Sequence, residues 1–195
     1  MTKRVFVIHG WDGYPDEGWF PWLKRELEQR NFEVTVPAMP DPSTPQLDAW
    51  VEHLASVVGT PDEHTYFVGH SMGCRAILRY LEMLPAAARV GGVLLVAGWI
   101  VLTPVTMRTP EEKEIVKQWL SRPPDWERMR RSTNNFTAIF SDDDEYVPPE
   151  NWDAYRDQLG AQIIIEHERG HFSGSDGVTE LPNVRDAILR HAHVI

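Results

Sequence analysis

Six short apolar runs constrain what this chain can become. They are VFVIH (5–9), FEVTV (32–36), TYFVG (65–69), GGVLLVAG (91–98), FTAIF (136–140) and AQIIIEH (161–167). They are rich in β-branched and aromatic residues, and most are apolar at consecutive rather than alternate positions. A strand with one wet face alternates with a period of two, whereas a strand buried on both faces does not. These runs therefore predict interior strands of a parallel sheet. Parallel neighbours need long crossovers rather than tight turns, so the segments between the runs must supply helices.

Those segments have the required pattern. Trp19–Gln29 places Phe20, Leu23 and Leu27 on one side, and Pro45–Val58 does the same with Leu47, Trp50, Val51, Leu54 and Val57. Ser71–Leu84 is strongly apolar, with Arg75, Arg79 and Glu82 read as its outer face. Pro149–Leu159 and Leu181–His193 complete the set, and His53, His64, His191 and His193, on polar or terminal segments, read as surface. Strand and helix in alternation predict an α/β fold with helices on both faces of a mainly parallel sheet. The chain of 195 residues is expected to form one domain, without repeats or low-complexity segments.

One span breaks the rhythm. Between Gly98 and Phe136 lie about 37 residues, longer than an ordinary crossover. A helix is expected at Pro110–Leu120, followed by RPPDWERMRR. The span reads as an insertion over the C-terminal edge of the sheet, a partial lid at about 99–135, or else as a long crossover with no part in the chemistry.

Composition narrows the partners. A formal net charge of −10 disfavours nucleic-acid backbones and anionic membranes. Arg128, Arg130 and Arg131 form the densest basic patch and read as a solvated helix face. The single cysteine, Cys74, allows no internal disulfide, and no apolar window is long enough to span a membrane or form a signal-peptide core. The expectation is a cytoplasmic protein. Cys74 reads as a buried structural residue. Eight tryptophans are many for this length. Most should be core, but Trp11, Trp19, Trp99 and Trp126 are candidates for pocket walls.

The third run leads into Gly69-His70-Ser71-Met72-Gly73, which matches G-x-S-x-G. A buried strand precedes it and an apolar helix follows, the context in which this pentapeptide forms a nucleophile elbow. A serine hydroxyl is a weak nucleophile and needs a base, which in turn needs an orienting acid. The chain order Ser, acid, His directs attention to FSDDDEYVPPE after the fifth run. Asp144 fits the spacing before Val147 and Pro148, with Asp143 the competing choice. His171, in the loop after the sixth run, is the candidate base. The oxyanion donors are expected to be the backbone N–H groups of Met72 and of Trp11, in the loop after the first strand.

Met39 to Pro42 (MPDP), GHSMG and the closing GHF carry a family likeness. With VFVIHGW, PWLKRELE, PAMPDPSTPQLDAW, ILRYLE, VLLVAG and SDDDEYVP they follow one another through nearly the whole chain. The sequence resembles the retinoblastoma-binding protein 9 family of small serine hydrolases, which includes bacterial YdeN-like proteins. The resemblance implies a three-layer α/β-hydrolase fold with six parallel strands in the order 2-1-3-4-5-6. It implies a triad of Ser71, Asp144 and His171, and hydrolysis of an esterase or peptidase-like kind. The 99–135 span is then where substrate choice is expected to be made. The substrate is expected to be a small ester or amide with an apolar or aromatic acyl group, and no cofactor is expected.

Two other readings compete. His167 to His171 also fits H-E-x-x-H, the pattern of a zinc hydrolase with Glu168 as base. That chemistry needs both histidines on one helix face. The β-branched Ile163–Ile165 predicts a strand running up to His167, and Gly170 weakens any helix, so no metal is expected. The remaining alternative is a non-catalytic α/β-hydrolase fold that binds a protein partner.

Overall fold

All six apolar runs form strands, and every pairing between them is parallel. The computed structural model describes residues 2–195. In chain order the elements are β1 (Lys3–Ile8), α1 (Phe20–Glu28), β2 (Phe32–Thr35), α2 (Leu47–Val58), β3 (Thr65–His70), α3 (Met72–Met83) and β4 (Gly92–Val96). They continue with α4 (Pro110–Leu120), α5 (Trp126–Ser132), β5 (Phe136–Ser141), α6 (Glu150–Leu159), β6 (Gln162–Glu166) and α7 (Pro182–His191). Short 3₁₀ turns occupy Pro104–Thr106 and Gly174–Asp176. Among the described residues, no helix is long and apolar enough to cross a membrane.

The strand order is β2-β1-β3-β4-β5-β6, as expected. The chain steps outward from β1 to β2, returns past β1 to β3, and then advances in one direction. Right-handed crossovers place helices on opposite faces when the direction of travel reverses. Accordingly α1 packs with α7, whereas α2, α3, α5 and α6 form a contiguous series. β3, β4 and β5 are buried at every position, which is why their runs show no alternation. β6 is an edge strand and partly exposed, with Ile165 40% exposed.

The segment between β4 and β5 divides in two. Its first part, through α4, lies over the C-terminal edge of the sheet. Its second part, α5, packs on α3 and α6 as part of the helical layer. α5 carries the solvated helix face expected at Arg128, Arg130 and Arg131. Pro123 and Pro124 separate it from α4, and Asp125 caps it by accepting from the Arg128 N–H at 3.1 Å. Arg128, Arg130 and Arg131 lie on its exposed side.

Three side chains read as outward-facing are turned in. Arg75 and Glu82 on α3 are buried. His191 also departs from its surface assignment. Its ring covers Gly92, where a Cβ would sit 2.4 Å from the imidazole Nδ1, and its Nε2 lies 3.1 Å from Thr137 Oγ1. Burial lowers its pKa to about 4. An imidazole that resists protonation in the folded state costs stability once the unfolded chain takes up the proton. The contribution is complete above the ordinary imidazole range and is lost as pH falls through that range toward about 4. Urea midpoints at about pH 7 and about pH 5 test this: the His191→Gln variant is expected to lose less stability between them than the wild type.

Candidate active site

β3 ends at His70 and α3 begins at Met72, so Ser71 alone makes the turn between them. It does so at φ 52° and ψ −116°, a conformation that costs a non-glycine residue about 1–3 kcal/mol. A hydrogen bond from Ser71 N to Val96 O at 2.9 Å helps hold it. The flanking glycines are required by contact. A Cβ on Gly69 would lie 2.6 Å from Cys74 N, and one on Gly73 would lie 2.2 Å from Ile8 O. Strand and helix can cross this closely only without those side chains, and the crossing projects Ser71 above the sheet edge.

The loops after β5 and β6 bring two partners to Ser71. His171 Nε2 lies 2.9 Å from Ser71 Oγ, and His171 Nδ1 lies 2.8 Å from Asp144 Oδ2. The Asp144 side chain is only 2% exposed. Its other oxygen accepts from Tyr146 N at 2.9 Å and Val147 N at 3.2 Å. These bonds orient the carboxylate and satisfy its remaining acceptor capacity. Ser71, His171 and Asp144 thus form one hydrogen-bonded chain at the C-terminal edge of the sheet.

The other two aspartates hold backbone instead. Asp142 accepts from Glu168 N at 3.1 Å and Asp143 from Gly170 N at 2.9 Å. Arg169 N donates to Ser141 Oγ at 3.0 Å, and His171 N donates to Asp176 Oδ2 at 3.0 Å. Each N–H from residue 168 to 171 therefore meets a side-chain acceptor. Asp143 touches the backbone one residue before His171, and Asp144 touches the ring.

HERGHF is not helical. Glu168 and Gly170 both have positive φ, 52° and 54°. His167 turns to Asp142, 2.5 Å away, and that carboxylate raises its pKa, while His171 turns to Ser71 and Asp144. The two imidazoles share no ligand position. Among the described residues, no group of three or more His, Cys, Asp or Glu is arranged to hold a metal ion.

Buried aromatic and imidazole groups brace this edge. His70 donates from Nε2 to His171 O at 2.7 Å, and burial lowers its pKa to about 3, so the ring is neutral. His9, which no motif marks in the sequence, accepts from Met39 N at 3.0 Å through Nε2. Its Nδ1 then carries the proton and donates to Gly10 O at 2.8 Å, shaping the loop that bears Trp11. Cys74 is buried and donates to Val96 O, and burial raises its thiol pKa.

A cavity of about 430 Å³ opens over Ser71. Trp11, Met72, Trp99, Leu102, Val116 and Tyr146 contribute to its walls. Tyr146 meets the His171 ring edge to face at 5.0 Å, a contact signalled in sequence only by its place two residues after Asp144. Glu17 also lines the cavity, and burial raises its carboxyl pKa. Two expected walls lie elsewhere. Trp19 is fully buried behind the site, where its indole N–H donates to Phe172 O at 3.0 Å. Trp126 starts α5 and packs against Tyr155, with ring centroids 6.4 Å apart. A tryptophan's place in sequence does not reveal which layer will absorb it.

The crossing at the elbow can be tested directly. Gly73→Ala puts a methyl against an immovable backbone carbonyl and is expected to destabilise by about 3 kcal/mol in urea unfolding. Gly174→Ala, whose Cβ would meet nothing closer than 3.4 Å, is expected to be close to neutral.

Known proteins share this arrangement of strands and helices. The model of the family described as serine hydrolase matches residues 5–190. YdeN of Bacillus subtilis (strain 168) is 33% identical, over 98% of this chain and 97% of its own. The crystal structure of the B. subtilis ydeN gene product superposes with a TM-score of 0.90, covering 98% of this chain and 100% of that one. The serine hydrolase RBBP9 of Rattus norvegicus is 29% identical over 90% of this chain and 89% of its own. Est1E of Butyrivibrio proteoclasticus, at 14% identity and a TM-score of 0.74 over 97% of this chain and 89% of its own, shares the fold. With a family model spanning nearly its whole length and a relative at one-third identity, this chain belongs to the serine hydrolase family.

Proposed function

We propose that the protein cleaves small esters or amides through an acyl-enzyme formed on Ser71. One observation carries the reading: the hydrogen-bonded chain Ser71–His171–Asp144 at the floor of a cavity. His171 removes the proton from Ser71 as the hydroxyl oxygen attacks the carbonyl carbon. Asp144 holds Nδ1–H, keeping the imidazole in the tautomer whose Nε2 is free to accept, and stabilises the imidazolium. The backbone N–H groups of Trp11 and Met72, both at the cavity beside Ser71, receive the charge that develops on the carbonyl oxygen. His171 then protonates the leaving group. Water, deprotonated by the same imidazole, releases the acid and restores the serine. These steps use no cofactor.

The walls support a small apolar or aromatic acyl group. Trp99, Leu102, Val116 and Tyr146 offer apolar surface, and the volume is within the range of small-molecule pockets.

A fluorophosphonate probe is expected to label the wild type and not Ser71→Ala; equal labelling of the variant overturns the assignment. For a short-chain aryl ester, Asp144→Asn is expected to lower kcat on the order of 10³–10⁴-fold. Asp143→Asn should cost about tenfold or less, since an amide oxygen can still accept from Gly170 N. Reversal of that ranking would make Asp143 the orienting acid. A strong chelator is expected to leave the rate unchanged.

A further inference from the structure

The cavity is covered by the stretch between β4 and the end of α4. Leu102, Val105, Thr106, Arg108, Glu112 and Val116 all line it. Glu112, Val116 and Trp119 share one face of α4, being spaced four and three apart. Asn151 secures the start of this roof: its side-chain oxygen accepts from Ile100 N at 2.7 Å and Val101 N at 3.0 Å. The far end is anchored by Trp119, fully buried, whose indole donates to Pro45 O at 2.9 Å.

One side chain reaches both ends. Arg75, on α3 four residues after Ser71, is only 8% exposed. Its guanidinium donates to Trp119 O at 2.6 Å and to Trp99 O at 3.5 Å, and stands 5.0 Å over the Trp99 ring. Among the described residues, no carboxylate pairs with it. Glu82, the nearby acid, is engaged by Arg79 and by Asp125 N. Burying an unpaired cation is costly, so the site must compensate. It does so with two carbonyls and an indole face. Trp119 O belongs to the last turn of α4, where the helix dipole presents partial negative charge.

We propose that Arg75 is a specificity-determining positioning residue. Its guanidinium registers both ends of the cavity roof to the helix that follows the nucleophile, and through Trp99 it sets which acyl groups fit. Among the described residues Arg75 makes no hydrogen bond or ion pair to Ser71 or His171, so its effect falls on the acyl pocket and not on the bond-breaking groups. The proposal rests on the serine hydrolase reading above. A guanidinium that merely filled space would, when removed, lower stability and leave the ranking of substrates intact.

Arg75→Met and Arg75→Lys in the full chain provide the test. The measurements are thermal unfolding, fluorophosphonate labelling, and kcat and KM on p-nitrophenyl acetate and p-nitrophenyl phenylacetate. Both variants are expected to unfold cooperatively and to label at Ser71. For Arg75→Met, the phenylacetate-to-acetate ratio of kcat/KM is expected to fall by about tenfold, mainly through KM. Arg75→Lys, which keeps the charge but not the fork, should restore part of it. In a Trp99→Leu background, Arg75→Met should change the ratio no further, because both act through one wall. A ratio that moves less than about twofold, an equal loss on both esters, or loss of cooperative unfolding in both variants would overturn the proposal. Failure of the underlying reading shows separately, as Ser71→Ala that still labels and turns over.

Discussion

The approach of α3 to β1 is the contact on which the rest depends. Gly73 lies so close to the carbonyls of Ile8 and His9 that no side chain fits between them. This crossing places the start of α3 beside the loop after β1. It brings the N–H of Met72 and the loop bearing Trp11 to one cavity, and it leaves Ser71 in a strained turn at their junction. The strain is maintained because the sheet on one side and the helix on the other are both buried, so relaxing the turn would separate packed layers.

Opposite this rigid crossing stands a loop with no regular structure. Residues 167–173 are held by borrowed acceptors: Ser141, Asp142 and Asp143 from the end of β5, and Asp176 from their own turn. A helix would have satisfied N–H groups within itself and a strand through a neighbouring strand, but neither spacing gives the turn that brings His171 to both Ser71 and Asp144. The acidic run DDDE thus does two jobs at adjacent positions. Two aspartates position the loop and the third meets the ring. His70 adds a bond from beneath, to His171 O, as a neutral imidazole kept so by burial.

The polar groups inside the molecule follow the same economy. Arg75, His9, His70 and Asn151 are all buried, and each donates to or accepts from the backbone of a loop at the sheet's C-terminal edge. Loops without a ladder of their own need such partners when they are covered. At the edge where substrates are expected to bind, buried side chains thus supply partners that the covering segments lack.

Much of this was legible in the residues. Six continuous apolar runs separated by amphipathic segments predict the parallel sheet, because a strand covered on both faces has no reason to alternate. G-x-S-x-G between a strand and an apolar helix locates Ser71, and chain order locates His171, because strand ends in a parallel sheet share one edge. What remained open depended on distances through space. Sequence left Asp143 and Asp144 competing, since neighbouring residues on a turn point differently by an amount no spacing rule records. It read Arg75 and His191 as outward and Trp19 and Trp126 as pocket walls. Amphipathic periodicity tells which side of a helix meets the sheet, but not which further segment comes to rest on its other side. The parallel strands and the tight turn at Ser71 were set by local pattern, and their order followed from family likeness; which aspartate meets His171, which side chains wall the cavity and the burial of Arg75 were decided only when distant segments packed, because those features exist only as contacts.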